Sequence, residues 1–252
     1  MNPFFFGPSV RPLFGVYTHA KAGSGQPWSV LLCYPMGSEY MRAHRAFRQM
    51  NALLNRAGAN VLRFDYSCTG DSAGEGVDAS LDAWLDDIDW AMDELKDNAQ
   101  AESITVVGLR MGATLASLAC KKREDVDHLI LWDPIVSGKT YLDTAVGSPR
   151  PSHVVGVDGF PLTPDLCRSL EGVDLREAGA MPTHVDVSIL CSEDAPAFRE
   201  LGTHRGDTGS SVHFEVVHSS GNWAQADPFG DALIPQEIIH AIVDRLKNHA
   251  MS

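Results

Sequence analysis

The sequence is short of basic residues. It has 20 lysines and arginines against 33 aspartates and glutamates in 252 residues, for a formal net charge of -13. A chain of this charge repels nucleic acid and anionic membrane surfaces, so neither is expected as a partner. Long apolar runs are absent too, since none approaches the roughly 18 residues of a membrane span. Any anionic ligand would have to be held locally, by a few well-placed cations.

Cysteine is also scarce, with five residues and no C-x-x-C pair. An odd number without a pairing pattern indicates reduced thiols rather than a disulfide framework. The first residues include a short apolar stretch but neither the basic segment nor the long apolar segment of a signal peptide, so none is expected. These features predict a cytoplasmic protein. The sequence predicts no cofactor, and the spacing of its histidines and acidic residues predicts no metal site.

Apolar strands and amphipathic helices alternate along most of the chain. Strand patterns occupy residues 28–34, 60–66, 104–107, 128–134, 185–191 and 211–217, and helical patterns occupy residues 42–57, 81–98 and 235–248. This alternation predicts a mainly parallel sheet with helices on both faces. The length suits one α/β domain over residues 1–252. Between residues 136 and 184 the periodicity weakens and Gly and Pro accumulate, which predicts a cap inserted in that domain.

The stretch SITVVGLRMGATLASLACKKR, residues 103–123, contains the most informative pattern. A β-branched strand meets the turn Gly108-Leu109-Arg110-Met111-Gly112 and continues into a helix of small residues. Glycines two before and two after the central residue are typical of the nucleophile elbow, G-x-S-x-G. The central residue here is Arg110. The sequence therefore predicts an elbow without its nucleophile.

Three further stretches carry a resemblance to a known family. YPMGSEYMRAHRAFRQMNALLNRAGANVLRFDYSCTGDSAG is similar to the oxyanion loop, helix and strand of serine aminopeptidase-like α/β-hydrolases. LWDPIVSGKTYL and GFPLTPDLCRSLEGVDL resemble a bacterial subgroup, the exosortase A system-associated hydrolases, whose elbows have the form G-L-R-L-G. The resemblance covers nearly the whole chain and implies an α/β-hydrolase fold. It also implies that the arginine is a trait of the subgroup, and that relatives with an intact elbow hydrolyse esters, amides or thioesters.

Carried over residue by residue, the resemblance gives a degenerate triad. VSILCSEDAP puts Asp194 at the acid position, after Arg110 at the nucleophile position. VVHSSGNW puts Asn222 at the position of the base, with His218 as an alternative, displaced base. A guanidinium cannot act as an acyl nucleophile, and an amide cannot take up a proton as imidazole does. A covalent serine mechanism is therefore not expected.

The resemblance also implies an oxyanion hole, made by backbone N–H groups of Met111 and of the Met36-Gly37 loop. Arg110 then lies at the positive end of a helix dipole, where a cation costs roughly 0.3 to 1 kcal/mol. A negative group should compensate it. The candidates are Asp194, Glu39 and the carboxylate or phosphate of a ligand. Arg110 is thus either a structural plug or a ligand receptor.

The pattern supports three functional hypotheses, of which only the last two make the chain an enzyme. In the first, a degenerate α/β-hydrolase, or pseudoenzyme, binds an acyl- or carboxylate-bearing small molecule, free or presented on a carrier. In the second, a lyase, cyclase or water-mediated thioesterase uses Arg110 and the oxyanion donors for electrostatic stabilisation. In the third, a true hydrolase has a relocated nucleophile, for which Cys33 and Cys68 are the candidate thiolates.

Overall fold

The computed structural model describes residues 1–21, 27–157, 159–206, 212–219, 223 and 234–250. Its strands are β1 (Asn2–Phe6), β2 (Leu13–Thr18), β3 (Trp28–Cys33), β4 (Ala59–Phe64), β5 (Ile104–Leu109), β6 (Val126–Trp132), β7 (Val155–Val157), β8 (Phe160–Leu162), β9 (Asp186–Cys191) and β10 (Val212–Val216). Its helices are α1 (Ser38–Arg56), α2 (Leu81–Ala99), α3 (Met111–Ala119), α4 (Gly138–Ala145), α5 (Pro164–Glu171), α6 (Pro196–Gly206) and α7 (Gln236–Ala250). Among these described helices, none is long and apolar enough to cross a membrane.

The described strands form one eight-stranded sheet in the order β1-β2-β4-β3-β5-β6-β9-β10. β2 pairs antiparallel with β1 and β4. The other neighbouring strands of this sheet run parallel. Helix α1 packs on β4 and α7, while α2 and α3 pack on β3, β5 and each other. The mainly parallel, helix-covered sheet predicted from the sequence is confirmed.

Helix cover explains why the central strands are apolar throughout. Every residue of β4 and β5 is buried, as expected of strands with helices on both faces. Trp84, Phe47 and Trp132 are among the largest fully buried side chains. The rings of Phe47 and Trp132 stack with their centroids 6.4 Å apart. This contact ties α1 to the C-terminal end of β6, the edge where the candidate site lies.

Helix α1 begins earlier than its apolar pattern predicts. The pattern indicated a start at residue 42, whereas the helix begins at Ser38. Gly37 has φ 63°, which lets the chain turn directly from the preceding loop into the helix. Glu39 lies in the first turn, where the helix dipole favours a carboxylate. Because the first turn has no apolar repeat, periodicity alone could not detect it.

The segment 136–184, predicted as a cap, contains α4, the hairpin β7–β8 and α5, which lie outside the main sheet. The Ser137 side chain caps α4. Thr163 caps α5, and Pro164 occupies its first turn. Helices α4 and α5 pack on each other. The described part of the segment therefore has regular secondary structure, and its role as a cap stays a prediction.

Candidate functional site

Arg110 is the single residue that connects β5 to α3. Its backbone has φ 54° and ψ -121°, a conformation that residues with a side chain rarely adopt. A Cβ on Gly108 would lie 2.5 Å from the Cα of Ala113, and one on Gly112 would lie 2.2 Å from the carbonyl oxygen of Tyr34. Packed backbone cannot move aside, so both positions require glycine. The structure thus has the elbow geometry predicted from the glycine spacing.

The side chain of Arg110 pairs with Glu39. Its Nε donates to Oε1 of Glu39 at 3.1 Å, and its Nη1 makes a longer contact, 3.4 Å, with the carbonyl oxygen of Asp133. The side chains are 21% and 8% exposed, respectively. Oε2 of Glu39 is buried and accepts no hydrogen bond from a described residue. Of the two carboxylates proposed as partners from the sequence, Glu39 is the one in contact with Arg110.

Two helices begin close to Arg110, since α3 starts at the next residue and Glu39 in the first turn of α1 contacts its side chain. Met36, Gly37 and Glu39 lie at the start of α1, and the first described helical bonds of α3 are made by the N–H groups of Ala113 and Thr114, both to the carbonyl of Arg110. Met111 is the first residue of α3 and comes before Ala113 and Thr114 in the chain. The predicted oxyanion donors, Met36, Gly37 and Met111, are therefore at helix starts, which favour negative charge.

Arg110 faces a cavity of about 480 Å³ between the sheet edge and segment 136–184. This elbow cavity includes Met36, Gly37, Glu39 and Arg42 on the α1 side. Its apolar wall comprises Ile135, Val136, Val157, Phe160, Leu162 and Phe198. The volume is within the range of about 300–1,000 Å³ that suits a small organic ligand. An apolar wall together with arginines suits an amphipathic anion.

Residues 28–156, which include β3, α1, the elbow and β6, match a family model described as "Serine aminopeptidase, S33". This chain belongs to the serine aminopeptidase family. A search of curated proteins finds no match. The match ends within segment 136–184, so it covers the nucleophile position but not those of the acid and the base.

Solved structures extend the likeness over the full length of this serine aminopeptidase family member. Est1E from Butyrivibrio proteoclasticus with bound ferulic acid has a TM-score of 0.76 and 16% identity over 98% of both chains. Alpha/beta hydrolase domain-containing protein 10 from mouse has a TM-score of 0.64 and 15% identity over 99% of this chain and 98% of that one. The thioesterase domain from the curacin biosynthetic pathway has a TM-score of 0.59 and 14% identity over 100% and 99%. Together these likenesses confirm the α/β-hydrolase fold.

Asp194, the predicted acid, is directed away from Arg110. It follows β9 on the surface, and Arg199 of α6 donates to both of its carboxylate oxygens. These bonds lower the pKa of Asp194, and the charge of His218 contributes a smaller effect in the same direction. Asp194 is not part of the wall of the elbow cavity. Its described ion pair is therefore with Arg199 and not with Arg110.

Asn222, predicted to occupy the position of the base, lies outside the described residues, and His218, the alternative base, is exposed. The next residue, Trp223, is described and buried. Its Nε1 donates to Oδ2 of Asp133 at 3.3 Å, and its carbonyl oxygen accepts a hydrogen bond from Arg42 at 2.6 Å. Trp223 therefore contacts two elements that border the elbow cavity.

Asp133 is a residue of the site that sequence analysis missed. Its carboxylate, 4% exposed, accepts hydrogen bonds from the backbone N–H and hydroxyl of Ser192 and from the indole of Trp223. Burial raises the pKa of Asp133, and the hydrogen bonds from Ser192 oppose that effect. The available signal was an aspartate directly after an apolar parallel strand, at the edge where such sheets bind ligands.

Neither candidate thiol is an activated nucleophile. Burial raises the pKa of Cys33 to about 12, against a hydrogen bond with Tyr66 that lowers it. Burial also raises the pKa of Cys68. A thiol attacks as its thiolate, so a raised pKa makes both thiols less reactive near neutral pH than a free cysteine. Within the described ranges, no group of three or more His, Cys, Asp and Glu could hold a metal ion.

Proposed function

We propose that this chain is a degenerate member of the serine aminopeptidase family that binds an acyl- or carboxylate-bearing small molecule at Arg110. The observation that carries the proposal is an arginine, at the tip of an intact elbow, that faces a ligand-sized cavity. A guanidinium has five N–H donors in a planar fork. The described bonds use Nε and Nη1 only. The remaining donors suit a carboxylate, which arginine holds by paired hydrogen bonds.

The charges around the elbow cavity support an anionic ligand in an otherwise acidic protein. Three arginines border it: Arg42, Arg110 and Arg176. Arg176 is compensated by Asp174 at 2.6 Å and Glu200 at 3.2 Å. For Arg42 the described hydrogen bond is to a backbone carbonyl, so no described carboxylate neutralises it. Arg42 lies one helical turn after Glu39 on α1, which places this second cation on the Arg110 side of the cavity.

The apolar wall supports a hydrocarbon or aromatic body attached to that anionic group. Ile135, Phe160 and Phe198 give it aliphatic and aromatic surface. Burying such a body contributes about 25 cal/mol per Å² of apolar surface. A protein of similar fold, Est1E, was solved with ferulic acid, an aromatic carboxylic acid. We propose a ligand of this general kind, free or presented on a carrier. We also propose that the protein is cytoplasmic and that it is a member of the exosortase A system-associated subgroup.

Chemistry at the elbow argues against a covalent serine intermediate, since a guanidinium stands at the nucleophile position. The oxyanion donors expected at Met36, Gly37 and Met111 favour a second candidate. In that case an enzyme of altered chemistry, such as a lyase, cyclase or water-mediated thioesterase, uses Arg110 and these donors to stabilise developing negative charge. A hydrolase with a relocated nucleophile is the remaining alternative.

A ligand screen tests the primary proposal. The purified protein is tested by thermal shift and native mass spectrometry against aryl and alkyl carboxylates, acyl thioesters and phosphates, beside Arg110→Ala. A ligand at 100 times its Kd adds about 2.7 kcal/mol to the free energy of unfolding. We expect that shift in the wild type and in Arg199→Ala, which removes an arginine outside the elbow cavity, but not in Arg110→Ala. No shift with any ligand, together with a destabilised Arg110→Ala, would identify Arg110 as a structural plug.

Turnover separates the remaining candidates. If the protein consumes a bound ligand but is not labelled by a serine-directed fluorophosphonate, it is an enzyme of altered chemistry. Labelling would indicate a relocated nucleophile. The double variant Arg110→Ser, Asn222→His should acquire esterase activity if the oxyanion donors keep the family geometry. An inactive but folded double variant would show that more than the triad has changed.

A further inference from the structure

A second, smaller cavity lies at the opposite edge of the sheet from Arg110. It is bordered by the N-terminal ends of β6, β9 and β10 and by the C-terminal end of α7. Its wall includes His128, Ser188, His213, Arg245 and His249. With a volume of about 170 Å³, it is well below the size of about 300 Å³ at which drug-sized sites begin. A cavity of this size suits a small ion.

One arginine in this cavity is held in a fixed direction. Nε of Arg245 donates to the hydroxyl oxygen of Ser188 at 3.2 Å, and that oxygen lies 2.9 Å from Nε2 of His128. Ser188 is 1% exposed, so the contact is made inside the protein. Fixing Nε orients the planar fork. The two terminal nitrogens are the pair that can meet a planar or tetrahedral oxyanion.

His128 supplies an independent indication of a missing partner. It is 3% exposed, and its Nδ1 is buried without a hydrogen-bond partner among the described residues. A buried polar atom of this kind costs about 1–3 kcal/mol unless something pairs with it. Asn248, also in the wall, adds an amide that can donate to the same occupant.

Charged groups of both signs surround this cavity. Arg245, His213 and His249 face His128, and their charges add to burial in lowering its pKa. The C-terminal end of α7 favours the guanidinium of Arg245 but opposes an anion, so the attraction for an oxyanion has to come from Arg245 itself. Two negative groups oppose these cations, since Glu215 pairs with His213 at 3.0 Å and Asp186 lies exposed on the rim. The exposed carboxylate is screened by solvent, whereas Arg245 is partly buried.

We infer that the cavity formed by His128, Ser188, His213, Arg245, Asn248 and His249 is a binding site for a small oxyanion, a phosphate or carboxylate group. The terminal nitrogens of Arg245 hold the oxygens of the bound anion, and the histidine and asparagine side chains supply further hydrogen bonds. The site is separate from the elbow cavity, so this inference does not depend on the function proposed for Arg110.

Calorimetric titration with inorganic phosphate, methyl phosphate and acetate tests the site. We expect saturable binding to the wild type and a loss of about tenfold or more in affinity for Arg245→Gln, because a charge-assisted hydrogen bond contributes roughly 1.5–3 kcal/mol. Lys247→Gln removes the same charge from the exposed face of the same helix and should bind as the wild type does. Equal affinity for phosphate and methyl phosphate would indicate a phosphate carried on a larger molecule, and preference for acetate would indicate a carboxylate.

Two readouts keep the test decisive. The imidazole NMR signals of His128 should shift on binding, which a nonspecific surface effect would not cause. If Arg245→Gln fails to fold, Ser188→Ala keeps the charge and releases Nε, and we expect it to bind more weakly than the wild type. Absence of saturable binding would overturn the inference. So would equal binding by the wild type and by folded Arg245→Gln or Ser188→Ala, without a shift of the His128 signals.

Discussion

The two edges of the sheet hold an arginine in different ways. At the C-terminal edge, Arg110 is fixed by its backbone, because glycines on either side allow strand and helix to pack in contact. At the N-terminal edge, Arg245 extends from an ordinary helix and is directed by the side chain of Ser188. The first faces a large cavity with an apolar wall, and the second faces a small polar one.

This difference shows which features of a site tolerate change. The elbow is imposed by steric contacts that do not depend on the central side chain, so its geometry is compatible with arginine in place of serine. The neighbourhood of Arg245 depends on individual side chains, so a single substitution should remove it. Substitutions at each edge therefore test this difference.

Gly112→Ala should have the largest effect. Its Cβ would lie 2.2 Å and 2.4 Å from the carbonyl oxygens of Tyr34 and Cys33. These are backbone atoms in the core, so we expect a loss of about 3 kcal/mol or more of unfolding free energy, or no folded protein. Urea unfolding measures it. Gly156→Ala, with no atom within 4 Å of the new Cβ, should change stability by less than about 0.5 kcal/mol. Similar values for the two variants would contradict the steric account of the elbow.

His128 should make stability depend on pH. Burial, together with the neighbouring charges, lowers its pKa from 6.5 to about 3. Between these values the unfolded chain binds a proton that the folded chain does not, so this stability is full above pH 6.5 and declines as the pH falls toward 3. At about 1.4 kcal/mol per pKa unit, the loss at about pH 5 is roughly 2 kcal/mol.

Urea unfolding across this range, in buffers without phosphate, measures the effect. His128→Gln should remove the part of the slope that belongs to this proton. His240→Gln, which changes an exposed histidine of α7, should keep it. Identical slopes in the wild type and His128→Gln would show that the ring is not buried in its neutral form.

Glu39→Gln should strengthen carboxylate binding at Arg110. The glutamine keeps a hydrogen-bond acceptor for Nε but removes the charge that neutralises the guanidinium. The pair is partly buried, so we expect a gain of about 1 kcal/mol, or roughly fivefold in affinity. Asp82→Asn removes the acidic residue from the first turn of α2 instead and should leave affinity unchanged. Weaker binding by Glu39→Gln would mean that the carboxylate itself contacts the ligand.

Asp194→Asn should have the smallest effect. Its ion pair with Arg199 is on the surface, where such pairs contribute little. We expect no measurable change in Tm or in ligand affinity. A clear loss of ligand affinity would show that Asp194 belongs to the site, as the family resemblance predicts.

How far the sequence predicts this molecule depends on whether the causes are local. The elbow follows from glycine spacing, and the parallel sheet follows from alternating patterns, because both are short-range. Helix α5 was missed although Thr163 and Pro164 signal its start. The choice of Glu39 over Asp194 as the partner of Arg110 needed the position of α1 relative to β5. The Arg245 cavity joins three strands and one helix, and no local pattern of residues describes that arrangement.

Arg110 is proposed to hold the anionic group of a ligand. The most direct measurement is a crystal structure of the wild-type protein with a carboxylate that stabilises it. The account predicts the carboxylate on the terminal nitrogens of Arg110 and its apolar body against Phe160 and Phe198. A ligand bound elsewhere, with Arg110 paired only to Glu39 and the elbow cavity empty, would contradict it.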